Sequence, residues 1–252
     1  MLGLKEQIFG AKGYSADLSL AVEELALFRS LVSEHWLATV KRYYPDLTDE
    51  ASELGIENYH RLAAKVSHKA LWPKANRVLP QNSVRAIKKL PFLSKLRDEF
   101  GDFSISDVYD TYQHHGQEEI YWRLVRPESE GDVGPLHADK WFHASFNMGH
   151  GMFPAGVTTV KIWIPIYCEP GKNGLAIVEG SHRKEWKFHV ETIEGLPKPV
   201  SDDDLSNLGA KLLPTEPGNM LIFNENALHR GVVNKGTQTR VSAEITMVMP
   251  PS

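Results

Sequence analysis

With 252 residues, 42% of them apolar and 24% charged, the chain is long enough to bury a substantial core and has the composition of an ordinary globular protein. Its single cysteine, Cys168, excludes an intrachain disulfide framework and any cysteine-rich zinc or iron–sulfur site, so a reducing, cytoplasmic setting is expected. The net charge of -4 conceals an asymmetry: ten Lys or Arg and no Asp or Glu lie between Asn58 and Arg97, while the remainder carries 18 basic and 32 acidic residues. Such a field suits a solvated helical face, an anion-binding edge near an active site, or peripheral contact with a membrane surface. The opening MLGLKEQIFGAKGYS is too charged for a secretory leader, and no stretch approaches the about 18 apolar residues of a transmembrane helix.

Residues 1–18 read as a loosely attached leader. From Ala21 to Tyr44, apolar residues recur at three- and four-residue spacing (Leu25, Phe28, Leu31, Trp36, Val40), which predicts an amphipathic helix that Pro45 and Asp46 end. A second helical stretch runs from Asp49 to Leu71 and stops at Trp72-Pro73, where proline removes a donor and restrains its predecessor. A third starts with Ser83 as N-cap, breaks at Pro91 and resumes to Phe100.

Beyond Ile105 the texture changes. Short runs rich in Val, Ile, Trp and Tyr alternate with Gly, Pro and Asn: 119–125, 156–167, 175–179, 219–223, 230–233 and 239–248. Strands at such spacing suggest an antiparallel double-sheet barrel or jelly roll, with the preceding helices packed on one sheet in an α+β arrangement. One domain over 1–252 is expected, residues 1–104 serving as helical support and 105–252 as the core. Residues 191–215, with turn formers and the triplet Asp202, Asp203 and Asp204, read as an insertion or lid. The triplet lacks calcium-loop spacing and reads as a solvated turn.

The chemistry centres on GPLHADKWF, residues 134–142. On an extended strand the side chains of His137 and Asp139, two residues apart, point the same way and offer a neutral imidazole and a carboxylate to one divalent metal. A His-x-Asp arises by chance about half the time in a chain of this composition, so it needs support from elsewhere. That support is EPGNMLIFNENALHRG, in which a turn and an apolar strand precede His229, 90 residues after Asp139. His137, Asp139 and His229 make a two-histidine, one-carboxylate set. Arg240 stands 11 residues after His229 at the head of the strand TRVSAEITMV, and Ser242 falls on the same face. Arginine suits the grip of a carboxylate because its planar fork is bidentate and keeps its charge.

His137-Ala138-Asp139, His229 and Arg240, with KIWIPIYCEPGKNGLAIVEGSHRKEW between them, resemble the phytanoyl-CoA dioxygenase family of Fe(II)- and 2-oxoglutarate-dependent oxygenases over residues 118–249. The resemblance implies a cupin-like double-stranded β-helix and a hydroxylase that uses Fe(II), 2-oxoglutarate and O2. It implies His137, Asp139 and His229 as iron ligands, Arg240 as the 2-oxoglutarate clamp, Trp163 as an aromatic neighbour of the cosubstrate and Ser242 as a second contact. Halogenating relatives carry a small residue in place of the carboxylate, so Asp139 argues for hydroxylation, although desaturation or cyclisation uses the same ligands.

Substrate candidates flank these positions: Lys140, Trp141 and His143 after Asp139, Arg123 on the strand YWRLVR with Arg126 on its other face, and Arg183 after the Ser181-His182 turn. Their cationic and aromatic character, with the basic 58–97 stretch, favours an anionic small-molecule or lipid-linked substrate: an acidic sugar such as the Kdo of lipid A, a phosphorylated metabolite or a CoA ester. Two other readings stay open, a cupin-type metalloenzyme that does not use 2-oxoglutarate and a binding protein with a basic surface. Nucleic acid is not expected, because no aromatic residues interleave the basic ones as a stacking platform.

Overall fold

In the computed structural model, which describes residues 2–107, 117–145, 153, 156–193 and 196–251, helices dominate the first hundred residues and strands the rest. The helices are α1 (Leu4–Phe9), α2 (Val22–Tyr43), α3 (Thr48–Leu54), α4 (Tyr59–Leu62), α5 (His68–Leu71), α6 (Gln81–Ile87), α7 (Pro91–Phe100) and α8 (Asp139–Ser145). The strands are β1 (Tyr14–Ser19), β2 (Ser104–Ile105), β3 (Ile120–Val125), β4 (Thr158–Tyr167), β5 (Leu175–Ile177), β6 (Phe188–Ile193), β7 (Leu196–Ser201), β8 (Lys211–Leu212), β9 (Asn219–Asn224), β10 (His229–Gly231) and β11 (Arg240–Met249).

Antiparallel pairing joins β1, β9, β4 and β11 in that order, and the far edge of β11 is shared by β3 and β2. Alternation along these strands separates two cores. Ile162, Ile164, Ile166, Met220, Ile222, Val241, Ala243 and Ile245 face the helices, whose Phe28, Trp36, Tyr59, Leu62, Ile87 and Phe92 complete one apolar layer. The opposite face sends Tyr14, Trp163, Leu221 and Phe223 against Leu175 and Ile177 of a smaller antiparallel sheet, ordered β10, β5, β8. The chain is thus mixed helix and antiparallel sheet, with α1 to α7 on one side of the large sheet and the small sheet on the other.

Several expectations are revised. The leader is tied down: β1 pairs with β9 at the sheet edge, and the Gly10 carbonyl lies 2.8 Å from His182 Nε2. The stretch from Asp49 to Leu71 is three short helices rather than one, with Gly55 at positive φ ending the first. Ser83 is buried inside α6, and Pro91 starts α7 at its first turn, where its missing N–H has no bond to lose. The α2 and α7 N-termini share a carboxylate: Glu24 accepts from Ala21 N at 2.7 Å and Phe92 N at 2.8 Å. The antiparallel pair β6 and β7 overlaps the start of the expected 191–215 insertion, and Pro199 is tolerated because among the described residues β7 pairs with β6 alone. Of the acidic triplet, Asp202 contacts His189 at 2.6 Å, while Asp203 and Asp204 cap backbone N–H groups of Lys187 and Ser206.

The basic 58–97 stretch belongs to the helical layer, across the large sheet from the small one. Lys65, Lys74 and Lys88 pair with Glu50, Glu119 and Glu118 at 2.6, 2.8 and 2.6 Å. Among the described residues no helix is long and apolar enough to cross a membrane.

The loop from β3 toward His137 is stapled by Arg126 and Asp132. Arg126 donates from its backbone N, Nε and guanidinium terminus to the Asp132 carboxylate at 2.8, 2.9 and 2.7 Å, with the Asp132 side chain only 2% exposed. Burial alone would raise the Asp132 pKa, but the bonds from Arg126 outweigh it and leave it below 3.8. Asp132→Asn is expected to cost about 2 kcal/mol at neutral pH, in line with losing hydrogen bonds to a charged group. Because the folded pKa is depressed, this stability is complete above the ordinary carboxylate range and lost as pH falls through and below 3.8. Urea unfolding of wild type and variant across pH should therefore converge in acid.

Candidate active site

His137 and Asp139 do not share a strand. His137 forms an isolated antiparallel bridge with His229, each backbone N–H donating to the other's carbonyl at 3.1 and 2.8 Å, and Asp139 opens α8. A carboxylate in a first helical turn favours helix formation, so the chain curls two residues after the bridge and carries Asp139 round to the histidines. Asp139 Oδ1 lies 4.0 Å from His137 Nε2 and 3.8 Å from His229 Nε2. One ligand atom from each residue can be chosen so that all lie within 4.8 Å of one another, close enough to surround one ion.

The imidazoles are fixed from behind. His137 Nδ1 lies 2.8 Å from the Pro135 carbonyl and His229 Nδ1 3.0 Å from that of Ala227. A carbonyl only accepts, so each Nδ1 carries a proton and each Nε2 is the ring nitrogen turned inward. Phe223 packs 4.5 Å from the His229 ring and Phe142 stands edge-on 5.3 Å from His137. Burial, then the neighbouring His229, pushes the His137 pKa down to about 4, so that imidazole is a neutral donor at ordinary pH. Burial would raise the Asp139 pKa, but Lys161 and the histidines hold it well below the usual carboxylate range.

The large sheet supplies the opposite wall. Alternation puts Lys161 and Trp163 of β4, Arg240, Ser242 and Glu244 of β11, and Tyr121 and Arg123 of β3 on the face toward the small sheet, with Ser242 opposite Arg123 and Glu244 opposite Tyr121. Arg240 is 2% exposed, donates to the Gly174 carbonyl at 3.0 Å and lies 5.7 Å from the Trp163 ring. Burial pushes its pKa down to about 10. Its Nε and Ser242 Oγ are buried without a hydrogen-bond partner, a costly arrangement that an incoming carboxylate would relieve. The residues present therefore fit both a divalent metal and an anionic cosubstrate.

The expected substrate residues fare differently. Lys140 is exposed beside Asp139. Trp141 is 4% exposed and stacked on Phe188 at 5.6 Å, in the apolar cluster beneath α8. His143 is half-buried, with Nδ1 3.2 Å from Glu225 and its ring against Phe153. Arg123 is 39% exposed and lies 3.9 Å from Glu244, while Arg183 is exposed on the turn after β5. Sequence reasoning missed Lys161, Glu244 and Tyr121. Two signals pointed to them: Lys161 is the one charge in the apolar run VKIWIPIY, two residues before Trp163, and Glu244 lies two after Ser242.

Solved structures with this fold include the non-heme monooxygenase ThoJ in its apo form, at 13% identity and TM-score 0.59, covering 99% of this chain and 80% of ThoJ. EctD from S. alaskensis in its apoform matches at 16% identity and TM-score 0.54, covering 98% and 76%. EvdO2 from Micromonospora carbonacea var. aurantiaca, complexed with 2-oxoglutarate, matches at 16% identity and TM-score 0.51, covering 69% and 66%. A sequence search of curated proteins gives no match. Residues 26–242 match a family of oxygenases that work with Fe(II), 2-oxoglutarate and O2, and the chain is a 2-oxoglutarate-dependent dioxygenase. It belongs to the phytanoyl-CoA dioxygenase (PhyH) family.

Proposed function

We propose that the protein hydroxylates a C–H bond of a polar, anionic small molecule, with His137, Asp139 and His229 holding the iron and Arg240, Ser242 and Trp163 holding 2-oxoglutarate. In this reading the two facing sheets are the double-stranded β-helix of a single oxygenase domain. The observation that carries it is the pairing of two incomplete constellations in one cleft: inward Nε2 atoms beside a half-buried carboxylate, and a buried Arg240 Nε and Ser242 hydroxyl without a hydrogen-bond partner.

Bound iron supplies oxygen activation, coupled to decarboxylation of 2-oxoglutarate to succinate and CO2, with one oxygen atom entering the substrate. The chain's own part is binding and exclusion of water. The Arg240 fork grips the distal carboxylate in a site too buried for water to compete, and Trp163 packs beneath the guanidinium. Lys140, Arg123 and Arg183 supply exposed or half-exposed cations for an anionic substrate. An acidic sugar such as Kdo, a phosphorylated metabolite and a CoA ester share that chemistry. The single cysteine is the ground for placing the protein in a reducing, cytoplasmic setting.

The test is a panel of acidic sugars, sugar phosphates and CoA esters, set beside neutral and cationic controls. The protein is incubated with Fe(II) and 2-oxoglutarate, and succinate release and product mass are measured. An anionic compound should stimulate succinate release and gain one oxygen atom. Stimulation confined to the neutral or cationic controls would sink the anionic class.

A further inference from the structure

Lys161 is a charged residue 7% exposed in the middle of a sheet, flanked along β4 by Val160 and Ile162. An ammonium there has lost most of its hydration, so its partners must be specific. They are the Asp139 Oδ2 at 3.4 Å, Glu244 Oε2 at 3.9 Å and the face of the Tyr121 ring at 5.8 Å. Behind it, the Tyr121 hydroxyl donates to Glu244 Oε2, and Arg123 Nε lies 3.9 Å from Glu244 Oε1, so Glu244 is fixed from two sides.

The two oxygens of Asp139 are therefore divided. Oδ1 faces both histidine Nε2 atoms, whereas Oδ2 faces the ammonium of Lys161. A carboxylate free to rotate can chelate a metal through both oxygens and take up a position that cosubstrate or oxygen must occupy. Partners behind a ligand commonly set its orientation and its donor strength.

We propose that Lys161 is a positioning residue that keeps Asp139 a one-oxygen ligand, with Glu244 and Tyr121 holding the ammonium from behind. The proposal rests on the assignment of Asp139 to the metal.

The test uses Co(II) as a spectroscopic probe, titrated anaerobically into the metal-free, full-length protein. Visible absorption reports affinity and coordination, and thermal unfolding reports folding. Lys161→Met should bind Co(II) about 10-fold more tightly and lose visible intensity, because the repelling ammonium is gone and a second Asp139 oxygen can join the ion. Lys161→Gln, which can still donate a hydrogen bond to Glu244, covers the case in which the methionine variant does not fold and should show the same change. Lys161→Arg, which keeps the charge, should recover the wild-type spectrum. Wild-type affinity and spectrum in a folded Lys161→Met or Lys161→Gln protein would overturn the proposal, as would a Lys161→Arg spectrum matching that of Lys161→Gln. A His229→Ala control separates the two levels: if it binds Co(II) as wild type does, the ligand assignment itself fails. If it does not, while the Lys161 variants bind normally, only the positioning role fails.

Discussion

His229→Ala is expected to bring iron-dependent succinate formation down to the level of a metal-free control while the protein still unfolds cooperatively. The fold survives because His229 is joined to His137 through backbone groups, and those reciprocal hydrogen bonds do not need the side chain. The site does not survive, because the remaining imidazole and carboxylate leave a divalent ion without its third protein donor. Iron affinity should fall by more than the about 10- to 100-fold typical of partners that merely support a ligand. Equilibrium iron binding and far-ultraviolet circular dichroism check the two halves separately. Turnover with tight iron binding in the variant would refute the assignment.

The second large effect is expected at Arg240. Truncating one member of a buried, hydrogen-bonded charge pair costs about 2–5 kcal/mol, so Arg240→Met should weaken 2-oxoglutarate about 30-fold or more. In the cosubstrate-free protein the same change should not destabilise. Arg240 is there an almost unhydrated charge with an unpaired Nε, and the Gly174 carbonyl it contacts keeps a second donor, Val232 N at 3.2 Å. Thermal unfolding with and without 2-oxoglutarate distinguishes the two contributions. Wild type should be stabilised by the cosubstrate through mass action, and the variant should not. A variant that loses stability in both conditions would mean that Arg240 is chiefly structural.

What the sequence made legible and what it hid follow from the range of the interactions. β4, β9 and β11 were visible because each alternates apolar residues with polar ones or forms an apolar run bounded by turns, and both patterns are local. The spacing of His137, Asp139 and His229 selected three residues that the fold brings within 4.8 Å, and Arg240 and Ser242 were expected on one strand face, where they lie. By contrast β1 was hidden: its partner β9 is about 200 residues away, and nothing in YSADLS announces an edge strand. The helix beginning at Asp139 was also missed, because His-Ala-Asp satisfies an alternating pattern as well as a helix start. Only the packing of Trp141 against Phe188 and Leu228 decides between them. The basic stretch shows the same limit. Charge density is readable from sequence, but the side of the sheet on which it falls is set by long-range packing.

The reciprocal backbone bonds between His137 and His229 have a bearing on metal exchange. Two donors whose separation is fixed by the main chain lose little freedom when an ion arrives, in contrast to sites that assemble only around their metal. Stripping the protein with a chelator should therefore be a gentle operation. The emptied protein would keep its unfolding transition and accept fresh metal without a refolding lag, so successive cycles of removal and reloading would retrace one binding curve.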